Sequence, residues 1–236
     1  MKILFIASSF PPYMFSEANV NGKLVLAFQA EKWKVDVISK QDEGNVYSKD
    51  WIKPFNQLKD ITYELNYPIG SRFDRLSDIF YSAIVLKSYP LPGIRWGRRA
   101  YSKALKMISK NEYDFILTRS PNDITHLVGY ALAKKTKLPW IANWNDPATT
   151  IWPEPYVHKM SFFNKLILNR FIGKALKKAS INTFPSDTLK NHFTTHYPLL
   201  ANKQTVIIPH IALIDEELVT KPIIKTNQKE IRMCHA

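Results

Sequence analysis

Seven short apolar runs punctuate the chain, at residues 2–6, 34–38, 61–65, 114–118, 140–143, 180–183 and 205–208. Most are continuous rather than alternating, the pattern of strands covered on both faces in a parallel sheet. Between them, apolar positions recur at helical spacing over residues 20–31, 72–87, 93–110, 123–135, 160–179 and 186–195. Strand alternating with helix predicts an α/β domain, Rossmann-like and doubly wound, on a mostly parallel sheet of about seven strands. Residues 42–61 carry the weakest pattern. No period of about 20 to 50 residues repeats, which argues against a solenoid.

In such a sheet, ligands bind beyond the carboxyl ends of the strands, where strand order reverses. That rule selects four loops. The first runs from Ser8-Ser9 through Phe10-Pro11-Pro12-Tyr13 to Asn21-Gly22. The second is Arg119-Ser120-Pro121-Asn122-Asp123, the third Asn145-Asp146-Pro147-Ala148-Thr149-Thr150, and the fourth Pro185-Ser186-Asp187. The third is distinctive because a buried-looking run, "PWIANW", ends on an amide, a carboxylate and a proline. Pro147 disfavours a helical Asp146 and keeps it extended at the strand end. A plain turn also favours Asn and Asp. Asn21-Gly22 lies near an expected helix start, where free N–H groups and a glycine suit a phosphate. A cap alone would also account for that glycine.

Charge sharpens the picture. The 236 residues carry 33 Lys and Arg against 20 Asp and Glu, a formal +13, which points to an anionic partner. From Lys87 to Lys110 there are seven basic residues and no acid, and from Lys159 to Lys178 six and no acid. Within 93–110, Arg95, Arg99, Lys103, Lys106 and Lys110 share one helical face, and Trp96, Ala100, Ala104 and Met107 another. This amphipathic helix suits an anionic membrane surface or a phosphorylated lipid. The same pattern also serves an outer helix packing its apolar stripe on the sheet. The 160–179 helix has a broader stripe and is expected to be buried.

Several chemistries are disfavoured. No G-x-G-x-x-G or P-loop follows the first strand. The six histidines include only one i, i+4 pair, His192 and His196, near a helix end without a carboxylate pattern, so no metal is expected. No G-x-S-x-G marks a nucleophile. RNP strands, GXXG loops and zinc-finger spacings are absent, which speaks against nucleic acid. The lone cysteine, Cys234, forms no internal disulfide and suits a reducing compartment. The five-residue apolar start is too short for a signal peptide, and no run approaches the roughly 20 residues of a membrane span. A cytoplasmic protein, peripheral at the inner membrane face, is the expectation. Residues 220–230 read as a linker and "IRMCHA" as the start of another strand, so a domain at 1–219 followed by the beginning of a second at 220–236 is expected.

The opening "MKILFIASSFPPY", the helix "GKLVLAFQAEKWKVDVIS", the stretch running to "PWIANWNDP", "KALKKASINTFPSDTLKNHF" and "TVIIPHIAL" occur in an order that resembles the N-terminal domain of family 4, GT-B fold glycosyltransferases. Departures from the family pattern are Glu31-Lys32-Trp33-Lys34-Val35, where the family has a Gly-His-Glu-Val-like turn, and His210-Ile211, where it has Asn-Gly. The resemblance implies a retaining transfer of sugar from a nucleotide-sugar donor to a glycan or lipid-linked acceptor in cell-surface polysaccharide synthesis, with no metal or other cofactor. It implies that this half holds the acceptor and that a C-terminal half holds most of the nucleotide. Carried over, Gly22 with Asn21 matches the loop against the donor phosphates, and Asn145-Asp146 falls near the reacting sugar. Tyr13, Arg119, Ser120, Thr149 and Ser186, in the selected loops, become acceptor-binding candidates. The alternative is a non-catalytic α/β module that binds a nucleotide or polyanion.

Overall fold

The computed structural model describes residues 1–12, 16–41, 50–66, 74–84, 91, 93–120 and 123–211, with side chains left out at 50–53 and 74–75. Tyr13, the 220–236 boundary and Cys234 lie outside these residues. Seven parallel strands form one sheet in the order β3-β2-β1-β4-β5-β6-β7. They are β1 (Lys2–Ala7), β2 (Lys34–Lys40), β3 (Thr62–Leu65), β4 (Phe115–Arg119), β5 (Trp140–Asn143), β6 (Ile181–Phe184) and β7 (Thr205–Ile207). The helices are α1 (Ser16–Ala30), α2 (Asp74–Ile84), α3 (Ile94–Ile108), α4 (Asp123–Thr136), α5 (Phe162–Lys178) and α6 (Asp187–His196), with 3-10 segments at Asp50–Ile61 and Pro198–Asn202. The expected doubly wound architecture is the observed one.

The alternation of side chains along β1 explains why both faces need helices. Ile3, Phe5 and Ala7 join Leu24 and Val25 of α1 and Phe55 and Leu58 of the first 3-10 segment in one layer. Leu4 and Ile6 join the opposite layer, with Trp96 of α3, Leu127 of α4 and Phe171 of α5. Strand side chains point alternately to the two faces, so a fully apolar strand must be covered twice. The chain winds outward from the centre in both directions, β1 to β2 one way and β4 to β5 the other. The boundary between β1 and β4 is therefore the point where strand order reverses, and a crevice opens at the carboxyl ends there.

Three local readings change. Helix α1 begins at Ser16, so Gly22 lies inside it rather than at its N-terminus, and its amide belongs to the helix interior. Gly22 is small for packing: a Cβ there would sit 2.6 Å from Phe55 Cε1 and 2.9 Å from Pro11 Cγ. Phe55 comes from the 42–61 region, whose pattern gave no regular helix, and Pro54 inside the 3-10 segment fits that irregularity.

The third change concerns the two basic helices. Helix α3 buries Trp96, Ala100, Ala104 and Met107, and its Gly97 lets Ile124 of α4 approach closely. Helix α5 was expected to be buried. It buries only an inner stripe of Leu168, Phe171, Ile172, Ala175 and Leu176, while Phe162, Phe163, Leu166 and Ile167 stay exposed.

Candidate functional site

Strand β4 ends on Arg119, with Ser120 next, and β5 ends one strand further from the switch point on Asn143, with Trp144 next. Ser120 N–H donates to the Asn143 carbonyl at 3.1 Å, which extends the ladder one residue past β4. The Ser120 hydroxyl oxygen then accepts from the amides of Asn145 at 2.7 Å and Asp146 at 3.3 Å. One buried serine thus pins the Asn-Asp-Pro loop against the end of the neighbouring strand.

The Asn145 amide is oriented by two donors. Arg119 Nη2 donates to Asn145 Oδ1 at 2.7 Å, and His210 Nε2 lies 2.6 Å from the same oxygen. A carbonyl oxygen only accepts, so His210 carries a proton on Nε2. His210 follows β7, so a residue from the far side of the sheet reaches the loop after β5.

Arg119 is 4% exposed, and its Nε has no hydrogen-bond partner among the described residues. Burial pulls its pKa down to about 10, against the opposing influence of Asp146 and then Glu17, so the guanidinium stays charged at neutral pH. Asp146 is half-buried, and its Oδ2 has no partner among the described residues. Its carboxyl pKa is raised, first by burial and then by Glu17, with Asn145 and Arg119 acting in the opposite sense. Glu17, in the first turn of α1, completes the cluster from the other side of the switch point. His210 is lowered by its own partial burial and by Arg119.

The cluster is therefore an arginine, two carboxylates, a histidine and an oriented amide at the carboxyl edge of the sheet. A buried N–H and a carboxylate oxygen without partners each carry a cost of about 1–3 kcal/mol.

The other candidate residues separate from this cluster. Asn21 is buried and donates its side-chain N–H to the Ser9 carbonyl at 2.7 Å, holding the loop after β1. Thr149 N–H donates to the buried Asp123 carboxylate at 3.3 Å, tying the loop after β5 to the start of α4. Burial raises the Asp123 pKa. Thr150 and Tyr197 hydroxyls are 3.1 Å apart, and Tyr197 donates to Asn169 at 2.8 Å, beside a cavity of about 290 Å³ also lined by Trp152, Lys165 and His196. Ser186 is exposed and caps α6, accepting from Leu189 N–H at 3.3 Å. Among the described residues, no hydrogen bond joins it to Arg119 or Asp146.

On α3, Arg95 Nε meets the buried Asp78 carboxylate at 2.8 Å, and Lys103 Nζ lies 4.0 Å above the Tyr63 ring. Arg99, Lys106 and Lys110 are exposed. Two of the five basic residues of that face thus have intramolecular partners. His192 Nε2 donates to the Ile151 carbonyl and His196 Nδ1 to the His192 carbonyl. Among the described residues, no group of three or more His, Cys, Asp or Glu side chains gathers as for a metal ion.

Glu17 and His210 escaped the sequence reading as site residues. Both follow strands, at the carboxyl ends the switch-point rule selects, and that position was the signal available.

No protein-family model matches the chain, and no curated protein matches its sequence. Solved structures do. The structure of HepE from Anabaena in complex with UDP and glucose superposes with a TM-score of 0.52 at 15% identity, over 89% of this chain and 44% of that one. Apo UGT2 of Phytolacca americana gives 0.51 at 10% identity, over 93% and 54%. The chain thus spans about half the length of these proteins. At such identities the likeness concerns the fold, and this chain has the Rossmann-like architecture of the N-terminal lobe of a GT-B fold.

Proposed function

We propose that this chain is the acceptor-side lobe of a glycosyltransferase that moves a sugar from a nucleotide-sugar donor, with retention of configuration, to a glycan or lipid-linked acceptor. The observation that supports it most is the charge of Arg119 acting on half-buried Asp146 where β4 and β5 end beside the switch point. A likeness to structures such as UDP- and glucose-bound HepE agrees with that chemistry. Cell-surface polysaccharide synthesis is the setting the motif order suggests.

In this reading, the half-buried Asp146 carboxylate accepts a hydrogen bond from an acceptor hydroxyl. Its raised pKa brings the carboxylate nearer to the range in which it takes up a proton as the new bond forms. Arg119 sets its positive charge beside Asp146, and its Nη2 keeps Asn145 in place. Asn21 and Gly22 shape the loop and helix facing the donor side. Stabilisation of the leaving diphosphate falls to the second lobe, through cationic side chains and helix dipoles without a metal.

The test is a nucleotide-sugar panel offered to the complete gene product and two variants. Asp146→Asn and Arg119→Met should each lower transfer by about 100-fold or more while unfolding transitions stay cooperative. Full transfer by Asp146→Asn would remove the carboxylate from the mechanism. Nucleotide binding with no transfer to any acceptor would favour a non-catalytic binding module.

A further inference from the structure

Helix α5 presents the most exposed aromatic side chains among the described residues. Phe162 and Phe163 are 75% and 73% exposed, and Leu166 and Ile167 extend the same surface. Tyr156 and Val157, in the loop before the helix, are exposed as well. The helix start is fixed, because Ser161 Oγ accepts from Asn164 N–H at 3.3 Å. A contiguous exposed apolar patch of this kind marks a contact surface.

The outward stripe of α5 reads Phe163, Leu166, Ile167, Arg170, Lys174, Lys177, apolar for its first turn and basic thereafter. Lys159 and Lys165 flank the apolar end and are exposed. Between residues 155 and 186 there are six Lys and Arg and no Asp or Glu; Glu154 lies just before. Among the described residues, none of the six is in an ion pair.

Charge and composition decide between partners. Interfaces with other proteins are depleted in lysine at their centre. An apolar tip ringed by exposed Lys and Arg matches instead a helix seated at the boundary of anionic headgroups and acyl chains, with lysine stems lying along the apolar surface. We propose that the N-terminal half of α5 docks this protein on an anionic phospholipid bilayer, with Phe162, Phe163, Leu166 and Ile167 inserted and Lys159, Lys165 and Arg170 on the headgroups.

The helix of a right-handed parallel crossover runs back against its strands, so α5 starts at the carboxyl end of the sheet. That is the end holding Arg119, Asn145 and Asp146. A docked bilayer would lie beside the candidate site, a placement suited to a lipid-linked acceptor. This last consequence rests on the glycosyltransferase reading; the docking itself does not.

Flotation of the 236-residue chain with phosphatidylcholine vesicles, with and without phosphatidylglycerol, tests the proposal. Binding should require phosphatidylglycerol and weaken with salt. The double variant F162S/F163S should lose about tenfold or more in vesicle partitioning, with an unchanged thermal transition because both rings are exposed. K165Q/R170Q should lose the preference for phosphatidylglycerol. The α3 variant R99Q/K106Q/K110Q should stay within about twofold of the parent, since that helix lacks an exposed apolar tip. No flotation with phosphatidylglycerol vesicles, or wild-type flotation by F162S/F163S, would overturn the proposal. So would a dimer in sedimentation velocity that F162S/F163S abolishes without any vesicle binding, which would assign the patch to a protein contact.

Discussion

Thr118 Oγ1 lies 2.8 Å from both Trp140 Nε1 and His126 Nδ1. An indole N–H only donates, so the threonine oxygen accepts from Trp140 and shares a second hydrogen bond with His126 Nδ1. The His126 ring is fully buried, 4.0 Å from that of Trp144. Burial lowers its pKa to about 3. A folded pKa below the unfolded value contributes stability that is present above about pH 6.5 and lost as pH falls towards 3. Asp123 and Asp146, both raised, act in the opposite sense and blunt that loss. Urea midpoints at neutral and mildly acid pH isolate the histidine. Between pH 6.5 and 4.5 the parent should lose roughly 2–3 kcal/mol more than a His126→Gln variant. Equal losses would mean that His126 is already able to charge in the folded chain. This pairing of Thr118, His126 and Trp140 was not legible in the sequence, because its hydroxyl, imidazole and indole come from β4, α4 and β5 and meet only in the folded core.

At the scale of elements, strands were the most legible parts, because each apolar run is short and bounded. β5 occupies the expected residues, and the other six shift by one or two at an end. Helix starts were less legible. Nothing in the apolar pattern announces α1 at Ser16, four residues before the expected start, and Asn21-Gly22 imitates a cap. Periodicity also reveals which residues share a helix face without revealing what the face meets. That is why α3 and α5 exchange roles: the α3 stripe meets α4, whereas the first turn of α5 extends past the packed layer. The glycines carry a direct test of the packing. A Cβ on Gly129 of α4 would lie 2.5 Å from Trp140 Nε1 and 2.6 Å from Thr118 Cγ2, both inside the core. Gly129→Ala should destabilise by about 1–3 kcal/mol. Gly173 of α5 is different, since its nearest neighbour would be Leu199 Cδ2 at 3.9 Å, an ordinary contact. Gly173→Ala should therefore stabilise, by up to about 1 kcal/mol through helix propensity. Thermal unfolding of the two variants in parallel checks both signs, and a shift in the same direction for both would contradict the packing described for α4 or α5.

Across the whole molecule, the winding of the sheet converts a list of loops into a site. Arg119, Ser120, Asn145 and Asp146 were legible because each follows a strand, and strand ends on one side of a parallel sheet converge. His210 was not, because its partner Asn145 is 65 residues away and the contact depends on the order β4-β5-β6-β7. Glu17 stayed hidden for a related reason, since it acts on Asp146 and Arg119 through the adjacency of β1 and β4. The formal +13 is likewise a property of the whole chain, and only the fold distributes it into α3, partly engaged with Asp78 and Tyr63, and α5, open at its apolar tip. Among the described residues, no helix is long and apolar enough to cross a membrane. The glycosyltransferase proposal makes these residues one half of a two-lobed sugar-transfer site. The most direct measurement is a side-by-side assay of residues 1–236 and the complete gene product with radiolabelled nucleotide sugars. On the proposed reading, two lobes must close around the donor for reaction, so transfer should appear with the complete product and vanish with residues 1–236 alone; turnover by residues 1–236 at a comparable rate would contradict that proposal.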